Sequence, residues 1–202
     1  MKQQLVRLAR KLHLLPMLEY GRFLWVAAKT RASNKTYLTE EFGFVAPPAW
    51  LMHDMYAHTS LRFYADSGRA HAQTIATIID KYVDKPQPEV AEWGCGLARV
   101  LRHMPHRYRR TGFDLNGAAI DWCAENIADV AFFKNELMPP LPTEAARFDA
   151  LYSISVFTHL SQTAHYAWID ELARVLAPGG VLVASFHGPG QAGGLLPDER
   201  VR

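Results

Sequence analysis

Cysteine is scarce in this chain, with only Cys95 and Cys123 among 202 residues. A secreted disulfide framework needs more cysteines in a shorter chain, so that class is excluded and two free thiols in a reducing, cytoplasmic setting are expected. No apolar run approaches the roughly 18 residues that a bilayer-spanning helix requires. Internal repeats and low-complexity tracts are also lacking, which removes solenoids and arrays. Neither sign of charge dominates, since 22 Lys and Arg face 20 Asp and Glu. What remains is 49% hydrophobic and 21% charged, the composition of an ordinary globular protein with one main domain and a small appendage.

The near-neutral total hides a local imbalance. Residues 1–35 hold eight Lys or Arg against Glu19 alone, whereas residues 36–202 hold 14 against 19. Leu5, Leu8, Leu12 and Leu15 follow helical spacing and predict an amphipathic, basic helix ending near Pro16, followed by the apolar cluster Phe23, Leu24, Trp25 and Val26. A signal peptide is not expected without an uninterrupted apolar core, nor an organellar leader when no serine precedes Ser33. Packing of these helices on their own domain is the plain reading. Peripheral contact with an anionic membrane surface or a protein partner through residues 1–35 is the sharper one. Nucleic acid is not expected as a partner, because no reader motif is present and the rest of the chain is acidic on balance.

Residues 36–66 are expected to be irregular, with one or two short helices, since Pro47-Pro48 interrupts any long one. Ile75, Ile78, Ile79 and Tyr82 mark one face of a helix from about 69 to 83, and the stretch 84–88 is a linker. Beyond Pro88 short apolar segments alternate with helical stripes. Strands are predicted over 90–93, 110–115, 130–133, 148–157 and 181–186. Helix faces are marked by Leu97, Val100, Leu101 and Met104, then by Ala119, Ile120, Cys123 and Ile127, then by Trp168, Ile169, Leu172, Val175 and Leu176. That alternation predicts an α/β fold, a doubly wound and mostly parallel sheet with helices on both faces. Residues 1–66 form an α-helical N-terminal extension in this reading, and residues 67–202 the sheet domain.

The stretch Glu92-Trp93-Gly94-Cys95-Gly96-Leu97-Ala98-Arg99 lies at the hinge between the first predicted strand and the helix expected after it. Gly94 and Gly96 permit a tight turn and leave no side chain between backbone and ligand. Asp114 comes twenty residues after Gly94, at the predicted end of strand two, where doubly wound folds place a carboxylate for ribose hydroxyls. Its alternative is a charge near the N-terminus of the next helix.

These features, with Gly112-Phe113-Asp114-Leu115, Phe148-Asp149, Val156-Phe157-Thr158-His159-Leu160 and Leu176-Ala177-Pro178-Gly179-Gly180, make residues 67–190 resemble the class I S-adenosylmethionine-dependent methyltransferases. The resemblance implies a Rossmann-like methyltransferase fold, S-adenosylmethionine as cofactor and a small-molecule acceptor. It implies that Gly94 and Gly96 pass under the methionine part of the cofactor, that Glu92 meets its ammonium directly or through water, and that Asp114 holds the ribose. Cys95 and Leu115 count among the cofactor contacts, Asn135 or Glu136 faces the adenine amine, and Ser155 with Val156 borders the methyl donor. Two departures stand out. Ala98 replaces the third glycine, and only sixteen residues come after Phe186, too few for the helix and two strands that usually complete such a sheet. A C-terminally truncated sheet, or a second subunit covering its open edge, is therefore expected.

Methyl transfer from a sulfonium chiefly needs positioning, so no catalytic residue is compulsory. His159 is the candidate base for a hydroxyl or amine acceptor, with His187 the other histidine at that edge. Tyr64 and Arg69 are candidates for a lid. His53, Asp54 and His58, or His103 and His106, lack further ligands at suggestive spacing, so no metal is expected. Two other readings stay open: a nicotinamide-dependent oxidoreductase, opposed by Arg99 where that motif wants its third glycine, and an inactive domain that binds a nucleotide or a partner.

Overall fold

Apolar segments bounded by turns become strands, and the stripes between them become helices, in a computed structural model that describes residues 15–186. The helices are α1 (Leu15–Glu40), α2 (Ala49–Tyr56), α3 (Leu61–Tyr82), α4 (Gly117–Asn126) and α5 (Gln162–Val175). The strands are β1 (Glu89–Trp93), β2 (Arg109–Asp114), β3 (Val130–Lys134), β4 (Phe148–Ser153) and β5 (Leu176–Ala184). Contacts divide the chain into two units, one through Ala65 and one from Asp66.

The first unit is helical. Thr30 and Thr59 share a hydroxyl hydrogen bond of 2.6 Å. The Asn34 side chain donates to the Thr59 carbonyl at 2.7 Å and accepts the Leu61 amide at 2.9 Å, so it supplies a partner to one of the amides that a helix start leaves unpaired. Phe23 and Trp50 pack edge to face at 5.1 Å, with His53 stacked on Trp50.

In the second unit the five strands are all parallel in the order β3-β2-β1-β4-β5. Strand alternation divides the core between the two faces. Val90, Ala150 and Tyr152 pack with Ile75, Ile79, Leu101 and Cys123 on one side. Ala91, Trp93, Phe113 and Leu151 pack with Trp168 and Leu172 on the other. Glu92 in the middle of this sheet lies beside Gly112 of β2 and Tyr152 of β4. That register puts β1 at the centre and gathers the ends of β1, β2 and β3 on one edge.

Several elements differ from the sequence reading. No helix forms over 97–104. Ala98 sits in the left-handed region at φ +56, and Met104 is extended before Pro105, so only the 3-10 turn Leu101–His103 fits between them. Strand four stops at Ser153 rather than 157, because Ser155 also turns left-handed at φ +63 and Phe157–His159 closes a 3-10 turn. β5 begins at Leu176 rather than 181, since the helix cannot continue toward Pro178, and a register irregularity between Phe148 and Ala150 takes up the extra residues. Pro16 lies near the start of α1 as described from Leu15, and the helix expected to end there lies outside the described residues. The same helix runs on to Glu40, and α3 starts at Leu61 instead of about 69, so the stretch 36–66 is mostly helical. The leucines at 5, 8 and 12, His187 and the glycine-rich tail fall outside the described residues.

Candidate functional site

Four segments meet at the carboxyl edge of the sheet: the turn after β1, the end of β2, the residue after β3 and the bend after β4. The turn is the tightest of these. The Gly94 and Cys95 amides both donate to the Phe113 carbonyl, at 2.8 and 3.0 Å, which ties the turn to β2. Gly94 has φ +79, and a Cβ there would lie 2.2 Å from Val156 Cγ2; only glycine lets the two segments approach so closely. The chain then passes beneath α3, where a Cβ on Gly68 would lie 2.0 Å from the Arg99 carbonyl oxygen. Arg99 itself donates to Ser67 Oγ at 2.9 Å.

Asp114 joins this turn to two further segments. One carboxylate oxygen accepts the Gly96 amide at 2.7 Å and the other the Asn116 amide at 2.8 Å. Its main-chain carbonyl accepts the Asn135 amide at 3.0 Å. Burial raises its pKa, with the Asn116, Gly96 and Leu115 amides pulling the other way. A carboxylate offers about four lone-pair sites, so acceptor capacity remains beyond these amides.

Asn135 is buried. Its side-chain N–H donates to the Glu136 carbonyl at 2.7 Å, while its Oδ1 is buried without a protein partner. Such an orphaned acceptor is expensive unless a ligand meets it. Glu136 and Leu115 are exposed. The structure thus distinguishes the two adjacent candidates, with Asn135 turned inward and Glu136 outward.

Glu92 is 3% exposed. Tyr152 donates its hydroxyl to Glu92 Oε2 at 3.0 Å, and the Leu101 amide also reaches the carboxyl. Burial pushes the Glu92 pKa up to about 8, against the pull of Tyr152, Arg99 and Leu101. The Cys95 thiol points into the core, 3.8 Å from the Gly96 carbonyl, and Cys123 Sγ approaches the same oxygen at 3.6 Å. Burial holds both thiols above their ordinary range, so neither is a ready nucleophile.

After β4 the geometry changes. Ser155 is exposed with positive φ; its amide donates to Ser185 Oγ at 2.7 Å, and Thr158 Oγ1 donates to its carbonyl at 2.7 Å. His159 is exposed at the end of the following 3-10 turn. Tyr64, a candidate for a lid, is fully buried beside Phe44 and Tyr56, so packing claims that side chain. Arg69 pairs with Asp66 at 3.1 Å. Sequence reasoning missed Tyr152, whose role depends on the β1–β4 register, and Asn116, whose side chain caps α4 by accepting the Ala119 amide at 3.1 Å. The Asp-x-Asn pattern ahead of an apolar stripe was the available signal for the second.

A parallel sheet whose central strand ends in a glycine turn held under the carboxylate of its neighbour defines a Rossmann-like domain, a fold that commonly takes ligands at the carboxyl edge. The family model described as a methyltransferase domain matches residues 90–180. Over 133 residues the chain is 30% identical to a Mus musculus protein named probable tRNA methyltransferase 9B, covering 65% of this chain and 28% of that protein. The chain therefore spans little more than a quarter of the length of the curated relatives it matches. Streptomyces venezuelae DesVI superposes with a TM-score of 0.56 at 18% identity, over 73% of this chain and 61% of that one. A TehB-like SAM-dependent methyltransferase from Corynebacterium glutamicum gives 0.50 at 19% identity, over 67% and 79%. Over residues 90–180 the chain is thus similar to methyltransferase domains, and its sheet shares the Rossmann-like fold of these solved structures.

Proposed function

We propose that this chain binds S-adenosylmethionine at the carboxyl edge of its sheet and transfers the methyl group to a small-molecule acceptor. The observation that supports it most is the linked set Gly96 amide, Asp114 carboxylate and Asn135, with Asn135 Oδ1 buried and lacking a protein partner. When bound, the cofactor supplies an electrophilic methyl on a sulfonium. In this reading Asp114 accepts the ribose hydroxyls and Asn135 Oδ1 the adenine amine, with Leu115 and Glu136 at the rim. Gly94, Cys95 and Gly96 present bare main chain to the methionine end. Glu92 meets the ammonium directly or through water, and the positive charge favours the ionised form of its carboxyl against the effect of burial. Ser155 and Val156 border the reacting end, and His159 takes the proton of a hydroxyl or amine acceptor; its exposure at the end of the bend after β4 supports that role.

Charge supports the small acceptor, since residues 36–202 carry 14 basic against 19 acidic residues, a balance unsuited to a phosphate backbone. The name of the curated relative favours a second reading, a tRNA acceptor. Thermal unfolding with S-adenosylhomocysteine and with nicotinamide dinucleotides tests the cofactor. A rise in melting temperature with the first alone is expected, and no rise would overturn the proposal. Transfer of a labelled methyl group to bulk tRNA, but not to a small-metabolite extract, would replace the small acceptor by the nucleic acid.

A further inference from the structure

The first half of α1 has two unlike faces. Phe23, Val26, Ala27, Thr30 and Asn34 recur at three- and four-residue spacing and form its less exposed stripe. On the far side Met17 is 72% exposed, Leu18 58%, Tyr20 54%, Leu24 49% and Trp25 59%. At 100° per residue these five, with Gly21 and Ala28 between them, fill an arc of about 160° that no charge interrupts. The charges of residues 17–28, Glu19 and Arg22, project outside that arc. Lys29 borders it beside Trp25, with its Nζ 3.6 Å from the ring centroid. Arg31 and Lys35 continue the same face one and two turns farther on, and Trp50 of α2 extends the patch through Tyr20 at 6.3 Å. Over Leu15–Glu40 the helix carries four basic residues and two acidic ones.

We propose that this face of α1 lies in the headgroup layer of an anionic phospholipid membrane. Each part of the patch has a counterpart there: acyl chains for Met17, Leu18 and Leu24, the interfacial zone for Tyr20 and Trp25, and lipid phosphates for Arg22, Lys29, Arg31 and Lys35. RNA would suit the aromatic and cationic residues but leave the three aliphatic ones without a role. A second copy docked face to face would set like charges against one another. Among the described residues no helix is long and apolar enough to cross a membrane, so the contact is one of lying on the surface.

Co-sedimentation of the full chain with phosphatidylcholine vesicles, with and without 30% phosphatidylglycerol, tests this. The chain is expected to pellet with the anionic vesicles in dilute salt and at least tenfold less with neutral vesicles or in concentrated salt. Met17→Glu with Leu24→Glu should reduce binding at least tenfold at an unchanged melting temperature. If that variant unfolds, Lys29→Gln with Arg31→Gln and Lys35→Gln provides the same reading. Wild type that stays in the supernatant, or variants that pellet equally, would overturn the proposal. So would a dimer in gel filtration that Leu24→Glu dissociates, or tRNA that displaces the vesicles and is still bound by the Met17→Glu, Leu24→Glu chain.

Discussion

The strand ends on the two sides of the domain are built differently. On the side of β1, β2 and β3, loop amides and carbonyls are bonded across strands: Gly94 and Cys95 to Phe113, Gly96 to Asp114, Asn135 to the Asp114 carbonyl. Beyond β4 the chain is exposed, takes a left-handed turn at Ser155 and is held by the two hydroxyls of Ser185 and Thr158. A cofactor recognised in one geometry benefits from the first arrangement, since preorganised donors and acceptors lose little entropy on binding. An acceptor that must enter and leave benefits from the second. The residual strain at Ser155, of the order of 1 kcal/mol, sits on the side where the acceptor is proposed to bind.

Substitutions at the boundary should break this division most severely. Gly94→Ala forces a Cβ to within 2.2 Å of Val156 Cγ2 at a positive φ. It is expected to destabilise the domain by about 2–3 kcal/mol and abolish the cofactor-induced thermal shift. Adding Val156→Ala should restore part of the stability, because the nearest remaining atom, Val156 Cβ, is 3.6 Å away while the strain of alanine at φ +79 persists. Chemical denaturation of the single and double variants measures both effects.

Asp114→Asn tests the interlocked side itself. The amides of Gly96 and Asn116 lose their ionised acceptor, and we expect a stability loss of about 1–3 kcal/mol. Titration calorimetry should show at least tenfold weaker binding of S-adenosylhomocysteine. Unchanged affinity would remove Asp114 from the ribose role.

Glu92 makes the core under the turn sensitive to pH. Burial lifts its pKa from an ordinary 4.5 to about 8, so the folded state holds a proton that the unfolded chain has released over that interval. Stability contributed by the protonated carboxyl is complete below pH 4.5 and is lost as pH rises through 8, with an amplitude on the order of a few kcal/mol. Glu92→Gln should flatten that decline between pH 5 and 8. Melting curves across the range would show this, and a parallel decline in both proteins would contradict it.

The smallest expected effect belongs to the exposed side. Ser155→Gly relieves a positive φ and should stabilise the chain by about 0.5–1 kcal/mol, while S-adenosylhomocysteine affinity falls far less than in Asp114→Asn because Ser155 only borders the reacting end. A loss as large as that of Asp114→Asn would make the bend after β4 as important to the cofactor as the interlocked side and blur the contrast between the two.

The parts of the fold that were legible in the sequence are those with a strong local rhythm. The strand cores around Val90, Phe113 and Leu151 and the Trp168–Val175 helix face announce themselves by apolar periodicity, and Asp114 and Gly94 by their spacing. Elements governed by a single left-handed residue were not legible. The apolar pattern over 97–104 reads as a helix until Ala98 is seen at φ +56, and strand four reads through to 157 until Ser155 turns away. Alanine and serine have no sequence signal for that conformation, which costs free energy and is imposed by surrounding contacts.

Pattern and spacing alone determined that this chain builds a parallel α/β sheet with a glycine turn and a distant carboxylate, because side-chain period and turn chemistry are local properties. Tertiary structure alone decided that Tyr152 bonds to Glu92, that Asn135 rather than Glu136 is turned inward, and that the β1 turn is fastened through Phe113 and Asp114. Those outcomes depend on strand order and register, where residues 60 positions apart become neighbours, and no local preference specifies such a pairing.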